Sequence, residues 1–214
     1  MGPPVYLGID LSSSPARPSG YALSDGPRLI DVGLLGTDEE VLALSCRYGP
    51  RYVAIDAPLG LPAGMDCLEE SCACRALAPD GFRATEREVR RVTNRIFYTT
   101  KRSIIKRMVY RAIGLRERLE QHGFSVLEVF PYASTVQLFG LPPVKKRRAA
   151  WRYWLRPRLE GLVGGLSDQG PLTHDELDAV IAGYTAYLLS HGLAALVGDP
   201  AEGAICVPRP LSGE

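Results

Sequence analysis

The pattern of hydrophobic and polar positions in the first sixty residues predicts a sheet that one helix interrupts. Short apolar or alternating runs, which fit a pleated and covered surface, predict strands at residues 4–10, 19–25, 28–36 and 51–57. Thr37, followed by acidic residues, predicts a helix that ends at Gly49 and Pro50. We expect the first three strands to pair antiparallel, and a right-handed crossover through the helix would lay the fourth parallel to the first.

The remaining chain is more helical. Residues 62–120 read as a helical, Arg-rich and polar insertion after the fourth strand, and 125–131 as a short strand. Residues 132–168 predict helix that is broken at Pro142, Pro143 and Pro157. The clearest helix follows Thr173, which forms a capping-box pattern with Glu176, and extends to Gly192. The run GAICVP predicts a last strand.

Length and composition fit one globular domain over residues 1–214, because 46% of the 214 residues are hydrophobic. No apolar stretch approaches the roughly 20 residues of a membrane span, and the N-terminus lacks a signal-peptide layout. Five cysteines, an odd number, argue against a disulfide framework. We therefore expect a cytoplasmic protein that does not enter a membrane.

Basic residues are concentrated in two segments although the totals nearly balance, with 25 basic and 24 acidic residues. One segment runs from Arg83 to Arg118 and the other from Lys145 to Arg158. This asymmetry favours a nucleic-acid-binding face, since phosphate contacts supply most non-specific affinity; a solvated helix face is the alternative. The candidate contacts are Arg17, Arg90, Arg91, Lys101, Arg102 and Lys106.

Acidic residues stand at related places in the predicted elements. Asp10 closes the first strand and Asp56 closes the fourth, so parallel pairing would bring both to one edge of the sheet. Glu128 interrupts the next strand, and Asp175 and Asp178 lie three apart at the start of the last helix. Each has a structural alternative: a turn-capping side chain, an Asx turn or a charge that complements the helix dipole.

Converging carboxylates repel one another unless a divalent cation lies among them. Mg²⁺ and Mn²⁺ prefer oxygen ligands, and two such ions about 3.5–4 Å apart can activate water for phosphodiester cleavage. That chemistry needs acids and no nucleophilic side chain, and the serines and histidines show no triad by spacing.

Seven segments, in order, carry a family resemblance: GID, RPSGYAL, AIDAPLGLP, EREVRR, LEVFP, HDELDA and EGAICVP. Together they resemble the family catalogued as domain of unknown function 429, described as predicted nucleases of RNase H-like fold. The resemblance implies an α/β fold: an RNase H-like mixed five-stranded sheet flanked by helices, with an acidic metal site. By position in resolvases of the RuvC type, the acids would be Asp10, Asp56, Asp175 and Asp178, although Asp56 is shorter than the glutamate often found there.

We therefore predict a metal-dependent nuclease that binds nucleic acid and uses Mg²⁺ or Mn²⁺. The predicted metal ligands are Asp10, Asp56, Glu128 and Asp178, and Asp175 completes the predicted catalytic set. The alternative is a catalytically inactive nucleic-acid-binding or scaffold protein of the same fold. A sugar-kinase-like phosphotransferase is disfavoured by length, and a Rossmann cofactor site by the absence of G-x-G-x-x-G.

Three cysteines, Cys67, Cys72 and Cys74, fall in one loop after the fourth strand. Their spacing departs from the usual C-x-x-C pairs of zinc sites. We expect free thiols there, with a structural Zn²⁺ as the alternative.

Overall fold

One seven-stranded mixed sheet flanked by helices organises the protein in the computed structural model, which describes residues 2–145 and 149–210. The strands are β1 (Val5–Asp10), β2 (Ser19–Asp25), β3 (Arg28–Leu35), β4 (Tyr52–Ile55), β5 (Val126–Val129), β6 (Ala194–Val197) and β7 (Ile205–Pro208). The helices are α1 (Asp38–Tyr48), α2 (Ala84–Thr93), α3 (Lys106–Gln121), α4 (Pro131–Phe139), α5 (Ala149–Glu160) and α6 (His174–Ser190).

The strand order is β3-β2-β1-β4-β5-β7-β6. The first three strands are antiparallel, whereas β1, β4, β5 and β7 run parallel to one another, which confirms the predicted α/β class and the pairing of β1 with β4. The sheet has seven strands rather than five. Sequence reading missed β6, because this four-residue strand pairs only with β7 at the sheet edge and buries only its first residue.

Residues 62–83 contain neither helix nor strand, so the insertion is helical only over α2 and α3, which residues 94–105 separate. Pro157 lies within the last turn of α5 without ending it. It deprives only the carbonyl of Tyr153 of a helical partner, and that residue is exposed to water. Lys146, Arg147 and Arg148 of the second basic segment lie outside the described residues. Among the described helices, none has the length and hydrophobicity that a membrane crossing requires.

Side chains of β1 alternate between two layers of helices. Leu7 and Ile9 pack with Leu115 of α3 on one face of the sheet, and Tyr6 packs with Ala182 of α6 on the other. Because successive side chains of a strand point to opposite faces, Asp10 lies on the face that α6 covers.

Glycines allow α6 to approach the sheet backbone directly. A Cβ on Gly8 of β1 would overlap the carbonyl of Ala179 and the amide of Gly183. A Cβ on Gly20, which pairs with Asp10 across the sheet, would overlap the carbonyl of Asp175. This close contact therefore brings the acidic first turns of α6 next to the carboxyl end of β1.

Substitution of Gly8 by alanine should destabilise the protein by about 3 kcal/mol, because the added methyl meets backbone atoms that cannot rotate away. Denaturant unfolding measures the change. Gly114→Ala in α3 is the matched control: its methyl meets nothing within 4 Å, so it should stabilise by about 0.5–1 kcal/mol. Equal stability of the two variants would contradict the close packing of α6 on β1.

Candidate metal centre

Asp10 and Asp56 lie side by side at the carboxyl ends of the neighbouring strands β1 and β4. Asp10 ends β1, and Asp56 directly follows Ile55, the last residue of β4. The Asp56 amide donates a hydrogen bond of 2.8 Å to the carbonyl of Ile9, so the parallel pairing continues through both acids. Since Ala54 packs in the cluster beside α6, Asp56 leaves the strand on that same face.

Helix α6 brings the third acid. The predicted capping box is confirmed: Thr173 accepts from the Glu176 amide, and Glu176 accepts from the Thr173 amide. From this fixed start the helix crosses β1, and Asp178 is buried with 1% of its surface exposed. One carboxylate oxygen from each of Asp10, Asp56 and Asp178 lies within 4.8 Å of the other two.

This donor set fits a hard divalent cation. All three side chains offer carboxylate oxygens, which suit Mg²⁺ and Mn²⁺ and not the softer ions that prefer sulfur or imidazole. Like charges at such separations oppose one another, and a bound cation relieves that repulsion. Asp10 and Asp56 are partly exposed, so an ion and a substrate phosphate can reach the cluster from solvent.

Glu128 belongs to a different arrangement, and the structure does not bring it into the three-acid cluster. It lies on β5 beside β4, but both its oxygens accept hydrogen bonds from buried Arg83, at 2.7 and 2.8 Å. It also accepts a 2.7 Å bond from the amide of Leu59. Glu128 therefore fixes the turn that follows Asp56.

Arg83 connects Glu128 to a second buried acid. Its Nε donates to Glu86 at 3.0 Å, and Glu86 also accepts from the amide of Thr99. Burial opposes the charge of Arg83, but the carboxylates of Glu128 and Glu86 outweigh burial and raise its pKa above the ordinary value. Sequence reading missed Arg83, because nothing in its local context signals a partner on β5.

Asp175 also lies apart from the three-acid cluster. Its carboxylate is 43% exposed and contacts Nε2 of His174 at 3.0 Å, a contact that is ionic only when the histidine is protonated. The backbone of Asp175 nevertheless packs against Gly20, the strand partner of Asp10. Asp175 thus stands at the rim of the cluster.

Part of the first basic segment lies near the three-acid cluster. Ile105 and Met108 line a cavity of about 50 Å³ together with Asp56. On the neighbouring turn of α3, Arg111 donates to the carbonyl and hydroxyl of Ser12, two residues after Asp10, and pairs with Asp38 at 2.7 Å. The start of α3 therefore lies near the carboxyl ends of β1 and β4, where the acidic cluster is.

The six predicted nucleic-acid contacts are distributed over the loop after β1, helix α2, the segment before α3 and the start of α3. Arg17 is exposed on the loop that follows β1, and Arg91 is exposed on α2. The others have protein partners: Arg90 contacts Tyr98, Lys101 donates to the carbonyl of Cys72, Arg102 pairs with Glu70 and Lys106 with Glu69. The two pairs with glutamates are 3.4 and 3.5 Å long, the first exposed and the second partly exposed, so phosphates can compete for these cations.

The order of the strands and the helix across β1 define an RNase H-like α/β fold. A family model described as "Protein of unknown function (DUF429)" matches residues 8–203. The chain therefore belongs to this family, as the seven sequence segments predicted.

Among solved structures, the chain is similar to RuvC from Thermus thermophilus. The two share 15% sequence identity with a TM-score of 0.50, over 88% of this chain and 96% of RuvC. At this identity the likeness supports the fold. A comparison with curated protein sequences gave no match.

Proposed function

We propose that the protein is a metal-dependent nuclease that hydrolyses phosphodiester bonds with Mg²⁺ or Mn²⁺ held by Asp10, Asp56 and Asp178. The convergence of these carboxylates within 4.8 Å at one edge of an RNase H-like sheet carries the proposal. The likeness in fold to RuvC supports the choice of nucleic acid as substrate. RuvC-type resolvases cleave DNA with acids at corresponding elements, as the family resemblance implies.

A bound divalent cation would supply charge stabilisation and an activated water at the phosphate. The protein contributes the rigid placement of its ligands. Asp10 is fixed by strand pairing, Asp178 by a buried helix, and Asp56 by the turn that Glu128 and Arg83 hold. Glu128 thus serves as a positioning residue in this proposal, and Asp175 as an additional acid at the rim.

The basic side chains would hold the nucleic-acid backbone beside the cluster. Arg17 follows Asp10 on the adjoining loop, and Lys106 follows Ile105, which lines the cavity with Asp56. Arg90, Arg91, Lys101 and Arg102 extend the proposed interface over α2 and the segment before α3. Contacts of this kind would make affinity fall with increasing salt.

The test is cleavage of a panel of single strands, duplexes, flaps, four-way junctions and RNA–DNA hybrids with Mg²⁺ or Mn²⁺. The native protein should cleave at least one class, chelation should stop it, and Asp10→Asn should abolish it. Asp25→Asn is the matched control. Asp25 pairs with Val5 at the end of the sheet where β1 begins, and Asp10 lies where β1 ends. This control should cleave like the native protein.

Binding without cleavage by the native protein, with either metal, would support the inactive binding or scaffold protein instead. Cleavage that survives in Asp10→Asn would contradict the assigned site. Equal loss in Asp10→Asn and Asp25→Asn would show that the charge change acts through folding and not through the metal.

A further inference from the structure

The structure brings the sulfur atoms of three cysteines together in a group separate from the acidic cluster. Cys67, Cys72 and Cys74 lie in the irregular segment 62–83, and their Sγ atoms are all within 4.8 Å of one another. The remaining cysteines lie elsewhere: Cys46 is exposed on α1 and Cys206 is buried in β7. The spacing of the three cysteines in the sequence does not predict this grouping, because the grouping depends on how the segment folds back on itself.

Hydrogen bonds between the backbone and the cysteine sulfurs accompany the fold-back of the segment. The amide of Cys72 donates to the carbonyl of Glu69 at 3.1 Å, which forms a turn. The amide of Cys74 donates to Sγ of Cys72 at 3.5 Å, and the Cys74 sulfur lies 3.5 Å from the carbonyl of Cys67. These contacts hold the three sulfur atoms near one another.

Little of the segment reaches the core, and none of residues 69–82 is buried. It spans the chain from residue 62 to 83 without helix or strand, and loops longer than about 12–15 residues without such elements are uncommon in compact proteins. Leu68 is buried and its amide donates to the hydroxyl of Tyr110, whereas Leu77 is 78% exposed. A cross-link at the cysteines would hold the part that the core does not reach.

The surrounding charge suits a cluster of thiolates. Cys72 and Cys74 border a cavity of about 600 Å³. Its charged lining residues are Arg75, Lys101 and Arg102 on the basic side, and Glu70 and Asp80 on the acidic side. Three thiolates with one divalent cation carry a net charge of −1, which the excess of one basic residue balances.

We propose that Cys67, Cys72 and Cys74 bind one thiophilic divalent cation, Zn²⁺, through three thiolates, with the fourth position left to water. With Zn–S bonds of about 2.3 Å, tetrahedral zinc separates its sulfur ligands by about 3.8 Å. The three Sγ atoms lie within 4.8 Å of one another, and those of Cys72 and Cys74 are 3.1 Å apart, so small side-chain rotations would bring them to that spacing. The ion would stabilise the segment between Asp56 and α2. It is independent of the proposed nuclease site, which uses oxygen ligands.

Metal content tests the proposal directly. Reduced protein is reconstituted with zinc, dialysed and measured by elemental analysis. About one zinc ion per chain is expected in the native protein, in Cys46→Ser and in Asp10→Asn, with at least a tenfold loss in Cys72→Ser and Cys74→Ser. Cys46→Ser controls for non-specific thiol binding, and Asp10→Asn separates this site from the acidic cluster.

Two measurements on native protein cover the case in which the serine variants do not fold. Co²⁺ added to reduced apoprotein should produce a sulfur-to-cobalt charge-transfer absorption. Chelation should speed tryptic cleavage after exposed Arg75 at least tenfold, and zinc should restore protection. Native protein that holds no zinc after reconstitution and gives no such absorption would overturn the proposal, as would zinc retained by folded Cys72→Ser and Cys74→Ser.

Discussion

Replacement of Asp178 by asparagine is expected to reduce metal-dependent cleavage about 1000-fold, which corresponds to about 4 kcal/mol of lost transition-state stabilisation. Asp178 is the buried member of the three-acid cluster, and the amide keeps its size but removes a charged metal ligand. Initial rates on the substrate class that the native protein cleaves measure the effect.

Thermal unfolding supplies a readout of the same site that does not depend on substrate. Mn²⁺ at 100 times its dissociation constant stabilises the native protein by about 2.7 kcal/mol, which raises Tm by roughly 5–10 °C for a chain of this size. Asp178→Asn should lose most of that shift. Asp168→Asn, an exposed residue on the loop before α6, should keep both the shift and the rate. A full Mn²⁺ shift in Asp178→Asn would show that the ion binds elsewhere.

Arg83→Ala is expected to have the largest effect on stability, a loss of about 3–5 kcal/mol. The substitution leaves the carboxylates of Glu128 and Glu86 buried without the guanidinium that now contacts both. It also releases the turn after Asp56, because Glu128 holds the amide of Leu59. Chemical denaturation at neutral pH measures the free energy of unfolding.

Arg87→Ala is the matched control on the same helix. Arg87 pairs with Asp80 at 2.9 Å, but both side chains are more than a third exposed. Water screens such a pair, so its loss should cost no more than about 1 kcal/mol. Similar losses for Arg83→Ala and Arg87→Ala would contradict the importance assigned to the buried network.

Sequence patterns predicted the elements that local chemistry determines. The strand–strand–strand–helix–strand start was correct to within about two residues, because alternation, turn residues and the Thr37 and Thr173 caps act over a few positions. The shared edge of Asp10 and Asp56 followed from the same reasoning, since parallel pairing determines where two strand ends meet.

Features that depend on distant partners were not predictable in this way. In the sequence, Glu128 interrupts an apolar strand, which is also what a metal ligand would do. Its ionic partner, Arg83, comes from another segment of the chain and is visible only in the structure. The packing of α6 on β1 places Asp178 within the three-acid cluster and leaves Asp175 outside it, although the two residues are equivalent in the sequence pattern. The grouping of the cysteines likewise depends on backbone turns within residues 62–83 that periodicity does not encode.

The three acids of the cluster come from distant parts of the chain: Asp10 near the beginning, Asp56 after the first crossover, and Asp178 on the last long helix. During synthesis the first two emerge long before the third. Affinity for the divalent cation therefore arises only when α6 docks across β1, a late, long-range contact. In a nuclease this delay would keep unfinished chains inert, and cation binding in a refolding experiment would mark the moment at which this helix has docked.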